Sequence, residues 1–171
     1  NMRLIAGKVL MDCNCPEALR DSAATGYEHS RQLIERWHGK GRLGYAITPR
    51  FALTSSEAQL EAAGRLAAEY PDVWVHTHLA ENHDEVEQIA RLFPWSSSYL
   101  DVYDRFGLVR ERSVFAHCLH LQDEECRLMA GRGAAAAHCP TSNMFLGSGL
   151  FDLRRLRELQ IRVGLGTDVG G

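Results

Sequence analysis

The stretch His76-Thr77-His78-Leu79-Ala80-Glu81 closes a short apolar run, residues 72–78, that reads as a buried strand. Side chains alternate across a strand, so His76 and His78 point to one face, and Glu81 follows in the loop beyond. Two later stretches end in the same way, Ala116-His117-Cys118 and Gly166-Thr167-Asp168. Parallel strands bring their C-terminal ends to one side of a sheet, where residues distant in sequence converge and can surround one metal ion. A metal-ligating imidazole beside a carboxylate left free to carry protons is the chemistry such a cluster suits.

Taken alone, the His-x-x-Glu spacing is better explained by hydrogen-bonded histidines and a surface glutamate. Recurrence shifts the balance. Asp168 ends an apolar run, and burying its carboxylate is costly unless it is paired or bound to a cation; a helix cap is its other reading. His117 reads as a site residue or as a core histidine, while Cys118 and Cys139 read as packing residues. Arg50 and Phe51 leave an earlier strand at the same end, where a guanidinium fork can meet a ring carbonyl and nitrogen and an aromatic ring can pack on a planar substrate. A surface ion pair and a core position are the alternatives for these two.

The rest of the chain supplies the setting. Strands are expected at residues 3–11, 43–47, 72–78, 113–117, 134–138 and 162–167, and helices at 18–37, 56–70, 83–93, 98–106, 122–131 and 152–160. The alanine run at 134–137 is assigned to a strand because glycine precedes it and Cys139-Pro140 follows His138. This alternation implies an α/β fold with a parallel sheet covered by helices: an incomplete TIM-type (β/α)8 barrel of about six β/α units occupying residues 1–171. The competing open dinucleotide-binding sheet lacks its glycine fingerprint after the first strand.

At 171 residues, 45% of them hydrophobic, the chain can bury a single substantial core. Its net charge of -3 comes from interspersed charges with no basic run, which argues against nucleic acid and against an anionic membrane surface. No run is long enough to span a bilayer and no signal-peptide pattern opens the sequence, which reads as cytoplasmic. Five cysteines, an odd number, read as reduced thiols, with Cys13-Asn14-Cys15 in a turn.

With these residues in place the chain resembles the guanine deaminase family of the amidohydrolase superfamily. The resemblance rests on residues 47–51 (ITPRF), 78–82 (HLAEN) followed by 84–86 (DEV), 115–118 (FAHC), 138–143 (HCPTSN) and 164–171 (GLGTDVGG), and covers nearly the whole sequence. It implies a zinc (Zn2+) enzyme that hydrolyses guanine to xanthine and ammonia in purine catabolism, working as a cytoplasmic homodimer in its full-length form. Residue by residue, it implies that His78 and Asp168 bind the metal, Glu81 shuttles the proton, His117 polarises the attacked centre, and Arg50 with Phe51 recognises the purine. Substrate contacts fall to His78, Glu81 and Asp168 as well. It further implies that the six strands are the third to eighth of the barrel. The first two strands, a His-x-His pair on the first of them, and an accessory β domain would then lie outside this chain, and His76 would not be a ligand. Two other functions fit the same residues: a related deaminase acting on another purine or a triazine ring, and a metal-free barrel segment that only binds a ligand or partner.

Overall fold

The computed structural model describes residues 2–169. Two short segments, β1 (Leu4–Ala6) and β2 (Val9–Leu10), stand where a single strand is expected. Both pair in parallel, in the same register, with β3 (Leu43–Pro49): Leu4 lies opposite Leu43 and Val9 opposite Thr48. The break falls at Gly7, where a Cβ would sit 1.6 Å from the Ala46 carbonyl oxygen. Only glycine tolerates so close a backbone approach.

The remaining strands follow in chain order: β4 (Trp74–Leu79), β5 (Ser113–His117), β6 (Ala135–His138) and β7 (Arg162–Leu165). Each pairs in parallel with its predecessor, giving the order β1-β3-β4-β5-β6-β7 with β2 extending β1 along β3. Sequential order and uniform direction produce the half-barrel expected of an incomplete TIM-type fold.

Helices α1 (Ala23–Trp37), α2 (Glu57–Glu69), α3 (His83–Leu92), α4 (Tyr99–Arg105), α5 (Asp123–Arg132), α6 (Pro140–Phe145) and α7 (Leu153–Glu158) fill the connections. The first begins five residues later than expected. Ser22 caps it, accepting from the Thr25 N–H at 3.0 Å, and a single 3-10 turn, Glu17–Leu19, precedes it. α6 was not expected at all: Pro140 at its first turn starts it, and six residues carry too little periodicity to be read from sequence.

β4 shows how the layers form. Val75, Thr77 and Leu79 are buried toward the helices, whereas Trp74, His76 and His78 face the open concave side. Ile47, Phe115 and Ala136 continue the buried layer and meet Leu60, Leu66, Ile89, Met129 and Leu156 in one core. Full burial of each large apolar side chain contributes roughly 1.5–3 kcal/mol. All five cysteines are free, and Asn14 between the first two has a left-handed φ of 46°, as a turn requires. Among the described residues no helix is long and apolar enough to cross a membrane.

Candidate active site

The concave side holds a cleft of about 830 Å3 that runs along the sheet from Ile5, Trp74 and Val114 to Arg50, His78 and Asp168 at the strand ends. A groove of similar size, about 890 Å3, lies beside α1 and α2, but its lining of alanines, Glu61, Arg65 and Arg105 carries no histidine or cysteine.

His78 sits one residue from the end of β4. Its backbone N–H donates to the Arg50 carbonyl oxygen at 3.1 Å, and its ring Nδ1 lies 2.7 Å from that same oxygen. A carbonyl oxygen can only accept, so Nδ1 carries the ring proton and Nε2 is left with its lone pair. Burial pulls the His78 pKa down to about 4, which keeps the imidazole neutral at pH 7. Neutral imidazole with a fixed tautomer is the form that ligates a metal.

Beyond β4 the chain turns through Ala80, whose φ is 51°. Asn82 then caps α3, accepting from the Glu85 N–H at 2.9 Å, while Glu85 returns a carboxylate oxygen to the Glu81 N–H at 2.9 Å. These bonds hold the Glu81 backbone, and its partly buried side chain places Oε1 3.7 Å from His117 Nδ1 and 3.5 Å from the Ser148 hydroxyl.

His117, the last residue of β5, is fully buried with a left-handed φ of 70°, and Cys118 follows with φ 54°. Two successive non-glycine residues in that region cost on the order of 1–3 kcal/mol each. His117 Nδ1 lies 2.9 Å from Asn143 Oδ1, so this ring too is protonated on Nδ1. Its Nε2 is buried, with no hydrogen-bond partner among the described residues, 3.8 Å from Asp168 Oδ2. Asp168, with φ 52°, follows β7.

His78, His117 and Asp168 each bring one ligand atom to within 4.8 Å of the others. The donor set suits zinc: two imidazoles and a carboxylate, with one nitrogen lone pair buried and unpaired. Cys118 and Cys139 stand outside this group and are buried, with burial raising both thiol pKa values. His76 shares the concave face but is not a member of the group.

Arg50 is exposed, its guanidinium carbon 4.7 Å from the centre of the Phe51 ring, and that ring lies 5.9 Å from His78. The six expected site residues thus occupy one mouth of the sheet. Three supporting groups were not foreseen: the Arg50 carbonyl, the Asn143 side chain and the Tyr103 hydroxyl. Tyr103, fully buried, accepts from the Ala52 N–H at 2.9 Å and donates to the His78 carbonyl at 2.9 Å. Arg50 and Asn143 lay within stretches singled out from sequence, residues 47–51 and 138–143, and Tyr103 did not.

The sequence matches the amidohydrolase family over residues 1–171. The chain belongs to the amidohydrolase family. Among curated amidohydrolase-type relatives, the guanine deaminase of Escherichia coli is 54% identical over 170 residues, covering 99% of this chain and 39% of that protein. The solved structure of E. coli guanine deaminase superposes with a TM-score of 0.98 at 53% identity, over 99% of this chain and 39% of its own. A C. acetobutylicum guanine deaminase with guanine bound in its active site superposes at 0.91 with 36% identity, over 95% of this chain and 39% of its own. This amidohydrolase chain therefore spans about 39% of the E. coli enzyme's length.

Proposed function

We propose that the full-length protein to which this chain belongs hydrolyses guanine to xanthine and ammonia, with zinc as its metal. The observation that carries this reading is the convergence of two Nδ1-protonated imidazoles and a carboxylate beside Glu81, on the face that also presents Arg50 and Phe51. The 54% identity to E. coli guanine deaminase supports the choice of ring.

His78 and Asp168 would hold the metal, completed by a His-x-His pair on the barrel's first strand, which this reading places outside residues 1–171 with the second strand and an accessory β domain. A bound zinc ion lowers the pKa of its water to about 7 and so supplies a nucleophile at neutral pH. The rest falls to the chain's own residues. Arg50 donates to the purine carbonyl and an adjacent ring nitrogen, and Phe51 packs against the ring. Glu81 takes one proton from the attacking water and delivers it to the ring nitrogen next to C2 as the C–O bond forms; Asp168 accepts the proton left on the added oxygen, which passes through Glu81 to the amine as the C–N bond breaks and the C2 carbonyl forms. His117, fully buried, turns Nε2 toward the attacked centre. Water in and ammonia out balance the reaction, and no redox partner is needed. We read the enzyme as a cytoplasmic homodimer acting on a small purine, with no nucleic acid partner.

The test is ammonia release by the full-length protein from guanine, adenine and a triazine, measured beside bound zinc. Guanine should be preferred with zinc present. Preference for another ring, or turnover without metal, overturns the reading.

A further inference from the structure

The fully buried His117 ring has three side-chain oxygens within 4 Å of its two nitrogens. Asn143 Oδ1 lies 2.9 Å from Nδ1, Glu81 Oε1 3.7 Å from the same nitrogen, and Asp168 Oδ2 3.8 Å from Nε2. Only the first is at hydrogen-bond distance. Asn143 is itself 2% exposed, so no water competes strongly for its oxygen, and its Nδ2 has no hydrogen-bond partner among the described residues.

We propose that Asn143 is a positioning residue that fixes the His117 tautomer. By accepting the Nδ1 proton it keeps that proton from Glu81 and, in the neutral ring, leaves the lone pair on Nε2, 3.8 Å from Asp168 Oδ2. Without it, the Nδ1 proton would be free either to bond Glu81, drawing the proton shuttle into a static pair, or to leave for Nε2, removing the lone pair. A carboxamide suits this task better than a carboxylate because it accepts without adding charge to a pocket that already holds Glu81 and Asp168.

The backbone around Asn143 serves the same arrangement. Its N–H donates to the Cys139 carbonyl at 2.9 Å as part of α6, and its own carbonyl accepts from the Ser148 N–H at 2.9 Å. Ser148 in turn reaches Glu81 with its hydroxyl at 3.5 Å. The segment from α6 to Ser148 therefore stands beside both His117 and Glu81. Second-layer partners of this kind typically change activity 10–100-fold when removed.

The role rests on the proposed deaminase reading for its catalytic consequence, but the tautomer itself is measurable without substrate or metal. The full-length protein labelled with 15N-histidine, metal-free and at one fixed pH above 7, gives the protonated nitrogen of each ring by long-range 1H–15N correlation, with His117 assigned by the signal lost in His117→Gln. Wild type should read as Nδ1–H. Glu81→Ala, a change at a partly exposed side chain, should leave that tautomer unchanged. Adding Asn143→Leu to Glu81→Ala, which removes both oxygens near Nδ1 while keeping side-chain bulk, should move the proton to Nε2. In the zinc-loaded protein Asn143→Leu alone should lower kcat on guanine by about 10–100-fold with KM within about twofold. An Nε2–H signal in wild type, a switch on Glu81→Ala alone, or an unmoved proton in the double variant overturns the proposal. Those readings stand even if guanine is not the substrate, so failure of the tautomer claim and failure of the substrate claim are told apart.

Discussion

The Arg50 backbone carbonyl oxygen lies 2.7 Å from His78 Nδ1, so the residue whose side chain is proposed to meet the purine also orients the proposed metal histidine, through a different part of itself. The two roles separate by mutation, because truncating a side chain leaves its carbonyl in place.

Arg50→Ala in the full-length protein should therefore lower kcat/KM for guanine by about 30-fold or more, roughly 2 kcal/mol for a lost charge-assisted pair, while zinc content stays at the wild-type level. Steady-state ammonia release and metal analysis on the same preparation check both halves. An unchanged guanine rate removes Arg50 from purine recognition, and lost zinc would mean that the side chain is needed to keep its carbonyl in place.

Glu81→Gln preserves shape but cannot carry a proton. Turnover should fall by about 10²–10⁴-fold with zinc retained. Near-normal activity in the variant would assign the proton transfer to another group.

The proposed zinc site draws on ligands outside residues 1–171. His78→Ala in the full-length protein should reduce bound zinc, and reading the complete open frame should reveal a His-x-His at the end of an apolar strand upstream. If that pair is missing, the single-zinc mechanism fails, since a catalytic zinc ordinarily needs at least three protein ligands.

Tyr103→Phe should lower stability by about 1–3 kcal/mol, because the Ala52 N–H and the His78 carbonyl lose the buried hydroxyl that serves both at 2.9 Å. Thermal unfolding reads this directly. The substitution keeps the ring stacked on Tyr99, so a drop cannot be ascribed to lost packing. An unchanged midpoint would show that the two groups find other partners.

Sequence alone determined the alternation of strands and helices, the parallel sheet, and the placing of His78, Glu81, His117, Asp168, Arg50 and Phe51 at one end of it. Those features are local: period-two burial in β4 and turn residues between elements are written in neighbouring positions. Tertiary structure alone decided the rest. Gly7 splits the first strand because the Ala46 carbonyl, 39 residues away, comes too close for any side chain, and no local pattern announces that approach. Proton placement on His78 and His117 depends on acceptors 28 and 26 residues distant, Arg50 and Asn143. A histidine's two nitrogens are equivalent in a sequence. They become different only when folding brings an oxygen to one of them.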